Sequence, residues 1–146
     1  MIYDLQSFES YFTAFKDRFG INTVVTGGYN ELIALQNNAV VYPVLVAETP
    51  ELTEDIDGYF TFLTRIAVLL NGASAMPTPE YKTKLNESRL TLSQILKAIH
   101  ADSANVVFRP YEIKYEFIER GQVISSDTLF GCIALDISIK SQNPCS

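Results

Sequence analysis

The densest collection of carboxylate oxygen in the chain lies in ETPELTEDIDG, where Glu48, Glu51, Glu54, Asp55 and Asp57 fall between Glu48 and Gly58. Carboxylates this close repel one another unless solvent or a cation intervenes. A calcium ion needs such oxygens, but the spacing does not follow an EF-hand loop, so the stretch reads as a solvated hairpin loop. A second set, Glu112, Glu116 and Glu119, offers paired carboxylates for acid–base work. Glu112 and Glu116, however, share the polar side of an alternating segment with Lys114 between them, the pattern of a solvated face. His100, the one histidine, falls at the C-terminal end of a helix, where the dipole favours a cation. A general base there needs a partner that the sequence does not name. Cys132 and Cys145 flank the last strand, and joining them would fold the tail back over it. Both read as free thiols in a reducing compartment. Two cysteines and one histidine at this spacing do not make a Cys/His metal site. Gly27-Gly28 lacks the lysine and following helix of a phosphate loop, and no GxSxG elbow occurs. The expectation is no catalytic residue, no cofactor and no metal.

Composition narrows the class further. With 146 residues the chain has the length of one ordinary domain with a self-sufficient core. Hydrophobic residues make up 47%, Phe and Tyr number 9 and 8, and charged residues are only 19%. A surface poor in charge and rich in aromatics suits a subunit of an assembly, and also a well-packed monomer. The net charge of −6 argues against a protein that grips nucleic-acid phosphates. The longest apolar run, Ile66 to Leu70, falls far short of a membrane span. MIYDLQSFES lacks the basic and apolar regions of a secretory signal.

The elements that must position these residues follow from periodicity. Leu5, Phe8, Phe12, Phe15 and Phe19 form one helical stripe, so a helix is expected over Asp4–Phe19, capped by Asp4 and stopped by Gly20. Ile21–Thr26 is β-rich, and Tyr29–Gln36 fits either a turn or two of helix or a short strand. Val40–Ala47 suits a strand covered on both faces, with Pro43 placing a sheet edge or a bulge there. Tyr59–Leu70 is a long strand whose second face turns apolar at its end, so something should cover it. Thr78-Pro79 opens a helix, with Thr78 as cap. It buries Tyr81, Leu85, Ser88, Leu92, Ile95, Leu96 and Ile99 and turns Lys82, Asn86, Arg89, Ser93 and Lys97 outward. Val106–Ile118 alternates as a half-solvated strand, kinked by Pro110, and Val123–Ile124 is a short further candidate. In the closing strand Ile133, Leu135, Ile137 and Ile139 take one face and Ala134, Asp136, Ser138 and Lys140 the other. The expected fold is α+β in a single domain, 1–146. It has a mostly antiparallel twisted sheet of about four to five strands, two main helices on one face, and a frayed tail over 141–146.

Asp127-x-Leu129-x-Gly131 running into that final strand resembles the D-x-L-x-G ending of tail completion and tail terminator proteins of tailed bacteriophages. Cys132 stands where an aromatic is common. The layout is similar too: an N-terminal helix, a strand with a Tyr-Pro pair (Tyr42-Pro43), a long aromatic strand after an acidic turn, and one amphipathic helix before two final strands. The resemblance implies a non-enzymatic virion protein, made in the bacterial host cytoplasm, that forms a homo-oligomeric ring of six or twelve subunits. It would act at the tail end or head–tail connector, touch neighbouring tail or connector proteins, and let DNA pass without specific binding. Glu48, Glu51, Glu54, Asp55 and Asp57 would then face the lumen or a neighbouring ring, since carboxylates repel the DNA backbone. A competing reading from another class is a small-molecule-binding or enzymatic α+β domain with an aromatic pocket, for which Thr64 and Ser88 are the only polar candidates on the buried faces. A third is a homodimeric bacterial adaptor.

Overall fold

The computed structural model describes residues 2–28, 40–102, 107–108, 112–120 and 128–142. Tyr29–Gln36, Val123–Ile124, Pro110, Asp127 and Cys145 lie outside them. The first helix, α1, covers Leu5–Thr13. Ser7 N–H donates to the Asp4 carboxylate at 2.7 Å and Asp4 N–H to Ser7 Oγ at 3.0 Å, a reciprocal capping box. The Ser7 N–H, and then its hydroxyl, hold the Asp4 carboxyl below its usual range. Helical periodicity continues to Phe19, but the helix does not. Beyond Ala14 the backbone closes tighter turns, Phe15 N–H to Phe12 O and Arg18 N–H to Phe15 O, both at 3.0 Å. Asp17 and Phe19 have φ of 65° and 54°, and Gly20 follows at 78°, so the glycine ends this turn region and not the helix. Phe8, Phe12 and Phe15 are buried, while Leu5 and Phe19 at the stripe's ends are exposed.

Seven strand segments make one sheet among the described residues: β1 Thr23–Thr26, β2 Val44–Ala47, β3 Glu51–Glu54, β4 Tyr59–Leu70, β5 Val107–Phe108, β6 Lys114–Ile118 and β7 Phe130–Gln142. They occupy five positions. β1 pairs β2 in parallel, and every other pairing is antiparallel. β2 and β3 lie end to end along one side of β4, β7 lies along its other side, and β5 and β6 share the far side of β7. Val40–Pro43 is not strand. β2 starts directly after Pro43, inside the sheet, and the Pro43 carbonyl takes the Asn22 N–H at 3.0 Å. Proline therefore marks a strand start, neither an edge nor a bulge. The expected strand over Val106–Ile118 is likewise two segments. Between the pairs Phe108–Ile139 and Lys114–Leu135 the edge advances six residues while β7 advances four.

The second helix, α2, covers Thr78–Ala101. Its cap position is Pro77 and no side chain caps it, so Thr78 is the first helical residue and not the cap. Tyr81, Leu85, Ser88, Leu92, Ile95, Leu96 and Ile99 are its buried face. Both helices pack on one face of the sheet. Phe8, Phe12 and Phe15 meet Leu92, Ile95 and Ile99 over Leu45, Phe62, Ile66, Val68, Ile137 and Ile139. Phe8 stacks on Phe62 with centroids 5.6 Å apart. The apolar end of the second face of β4 is covered, as Ala67 and Leu69 join Val25, Val44, Val46, Ile118, Leu129 and Ile133, with Val40 and Tyr42 against them.

The closing strand departs from its sequence pattern. From Thr64–Ile137 to Ile66–Ala134, β4 advances two residues and β7 three, a bulge that reverses which face later residues take. Ile133 and Leu135 accordingly pack on the second face, whereas Ile137 and Ile139 pack under the helices with Cys132 and Ala134. Asp136, at the bulge, has φ of 53°. Ser141 and Gln142 are not tail: Ser141 is buried, and Gln142 pairs with Tyr59.

Candidate functional site

The acidic stretch is less loop and more strand than its composition implies. Glu51–Glu54 pairs with Leu63–Phe60 of β4, so β3, the turn Asp55–Gly58 and the start of β4 form a hairpin. Asp55 builds the turn. Its carboxylate accepts the Asp57 and Tyr59 N–H groups, both at 3.0 Å, and its own N–H reaches the Tyr59 carbonyl at 2.9 Å. Gly58, at φ 86°, supplies the left-handed residue that returns the chain into β4. Lys140 clamps the base, 3.8 Å from the Asp55 carboxylate and 4.8 Å from the Tyr59 ring centroid. All four residues of β3 are exposed. Leu52 is 47%, Leu63 38% and Ile56, at the turn, fully exposed. The hairpin is an arm with acids on both sides and an apolar tip.

At the root of this arm both neighbours of β4 bulge at the level of Arg65. On one side, from Ala47–Ile66 to Glu51–Leu63, the β2–β3 segment advances four residues and β4 three. On the other stands the Asp136 bulge. Arg65 grips Glu48 with two hydrogen bonds, Nε to Oε2 and Nη2 to Oε1, the second at 3.0 Å. Thr64 Oγ1 donates to the Glu48 carbonyl at 2.6 Å. Together with Gly27, Thr49, Glu51, Leu63 and Asp136 these residues line an open cleft of about 340 Å³. Sequence reasoning missed Arg65 and Asp136 because each occupies an ordinary polar position in an alternating strand. No local signal distinguishes them.

The five acids are thus not equivalent. Glu48 is held by Arg65 and Asp55 by the turn and Lys140, which leaves Glu51, Glu54 and Asp57 on the arm without an ion pair among the described residues. Of the closing motif, Leu129 and Gly131 are placed and both are buried. Leu129 packs on the second face, and Gly131 lies so close to β4 that a Cβ there would sit 2.0 Å from the Val68 carbonyl oxygen. Phe130 is buried against Tyr81, their ring centroids 5.1 Å apart. His100, Glu112, Glu116 and Glu119 are exposed and do not converge with the arm on any cleft lining. Cys132 is a buried free thiol, pushed up to about 11 by burial. Thr64 and Ser88 each donate to a carbonyl, Ser88 to Leu85 O at 2.5 Å. Among the described residues, no cluster of three or more His, Cys, Asp or Glu is arranged to hold a metal ion, and no helix is long and apolar enough to cross a membrane. No protein-family model matches this chain, and a search of curated proteins finds no match.

Proposed function

We propose that this chain is a non-enzymatic structural subunit that closes into a ring, acting in a tailed-bacteriophage virion as a tail terminator, tail completion or head–tail connector component. The observation that carries the reading is the β3–β4 arm: four exposed strand residues, a fully exposed Ile56 at the turn and three acids without an ion pair among the described residues. An isolated monomer gains nothing from projecting an isoleucine into water, whereas a subunit recovers that apolar area on assembly. The order of helix, a strand entered through Tyr42-Pro43, acidic turn, long aromatic strand, amphipathic helix and closing strand supports the same reading, as does Leu129-x-Gly131. Of the two placements expected for the acidic stretch, lumen or neighbouring ring, the apolar tip argues against the lumen and for contact with protein.

The alternative, a small-molecule or enzymatic domain, draws on open clefts beside Arg65 and between Tyr11, Phe15, Arg18 and Asp102, but the buried hydroxyls named for it, Thr64 and Ser88, are already bonded to main-chain carbonyls. Light scattering across a concentration series, followed by negative-stain imaging, tests the proposal. Six- or twelve-fold rings are expected. A protein that stays monomeric at high concentration and binds metabolites overturns it. Portal, capsid and tail-tube genes beside this one are the expected genomic setting.

A further inference from the structure

Charge on α2 is segregated. Lys82, Asn86, Arg89, Ser93 and Lys97 follow one another at spacings of four, three, four and four, so they form a single row along the helix. That row carries three cations and no acid. The acids of the helix surface, Glu80 and Glu87, fall on the opposite flank, where Glu87 pairs with Lys84 at 3.1 Å. Leu90, 47% exposed, sits beside Asn86, Ser93 and Lys97 by helical pitch. Phe117 is directly opposite Cys132 in the β6–β7 register, hence on the helix-covered face, and is 44% exposed at the sheet's β6 edge. α2 also touches β6, so Phe117 lies on the strand beside the helix.

The arm lies elsewhere. β3 flanks β4 on the side away from β7, and the turn stands at the Tyr59–Gln142 end of the sheet. The start of the row adjoins Tyr81, which packs on Phe130 at the Leu70 end. The turn of the arm and the start of the row are therefore at opposite ends of the sheet, and among the described residues no ion pair joins arm to row. Glu51 and Glu54, three apart on β3, take opposite faces of the strand, so the arm's free edge carries an acid on either side.

We infer that the acidic β3–β4 arm of one copy docks on the Lys82–Arg89–Lys97 row of the next, with Ile56 against Leu90 or Phe117. Two different patches in contact make a head-to-tail interface, which generates a ring when the rotation closes. Opposite charge selects the partner surface, and the apolar tip supplies the burial. The inference rests on the ring reading and names its contact.

Charge exchange tests it. In one variant the arm is reversed (E51K/E54K/D57K), in another the row (K82E/R89E/K97E), and a third carries both. Sedimentation and imaging at low and high salt read the assembly. Each one-sided variant is expected to raise the midpoint concentration for ring formation by about tenfold or more. The double variant restores rings, and so does an equimolar mixture of the two one-sided variants, because each arm then meets a complementary row. Such mixed rings alternate, so they close only with an even subunit number. Circular dichroism confirms that the variants are folded. Rings that survive row reversal but not arm reversal overturn the docking site while leaving the ring reading standing. A natural chain that stays monomeric at high concentration and binds metabolites overturns both.

Discussion

Gly131 shows how a single residue can be conspicuous in sequence for a reason that only packing supplies. Its neighbours Leu129 and Phe130 are buried anchors, but the glycine itself is required by the Val68 carbonyl, 2.0 Å from where a Cβ would stand. The atoms it would meet, Val68 O and C and Leu69 Cα, are all main chain of β4, so none can swing aside. Gly131→Ala is expected to cost roughly 3 kcal/mol, seen as a lower urea midpoint at unchanged slope. Two weak acids, the buried Cys132 and the half-buried Tyr11, bear on stability at alkaline pH. Burial pushes the Cys132 thiol up to about 11, with the Arg89 charge opposing. Burial and then Asp102, 3.3 Å away, raise the Tyr11 hydroxyl. In both the folded chain holds its proton more tightly than the unfolded chain. Their contribution is therefore complete below the unfolded values, about 8.5 and 10, and is lost as pH rises through the folded ones. Denaturation measured between pH 8 and 11 should show stability falling, with a shallower fall in Cys132→Ala and in Tyr11→Phe.

At the scale of elements, what periodicity cannot register is an inserted residue. β7 keeps an unbroken alternation from Ile133 to Lys140 in sequence, yet the extra residue at Asp136 sends Ile133 to one face and Ile137 to the other. The strand has apolar residues enough for both faces, so either phase looks consistent when read locally. Asp136 tolerates its φ of 53° because aspartate enters the left-handed region more readily than most residues. Asp136→Gly should leave stability within about 0.5 kcal/mol, whereas Asp136→Val should cost about 1–2 kcal/mol, as thermal melts of the two variants will show. α1 teaches the complementary lesson. Phe15 keeps its buried place after the helix has ended, because tight turns continue to point it inward.

For the whole molecule, the paired bulges beside Arg65 divide the sheet into a part covered on both faces and a distal arm that is not. The arm is stable as built: Asp55 organises its turn, and Lys140 ties its base to β7. Its free acids and Ile56 are thus available to a partner at no cost to folding. Substituting Glu51, Glu54 and Asp57 by Ser is expected to leave the melting temperature nearly unchanged while weakening ring assembly. Ile56→Ser should do the same, because a fully exposed side chain contributes nothing to the core. Unaltered rings in both variants, measured by light scattering, would remove the arm from the interface.

The sequence by itself determined the class of fold, the limits of β4, the seven buried residues of α2 and the acidic character of the arm, because each depends on patterns repeated within one element. It also carried the outward row of α2 in full, although not its significance. Tertiary structure alone decided which acids are free, since Glu48 meets Arg65 across strands and Asp55 meets Lys140 from β7. It alone decided the parallel β1–β2 pair and the phase of β7, because strand pairing joins residues far apart in the chain and a bulge changes register without changing composition. That the row starts at the end of the sheet away from the arm's turn is of the same kind. Their charges are local facts, but their relative position belongs to the folded chain.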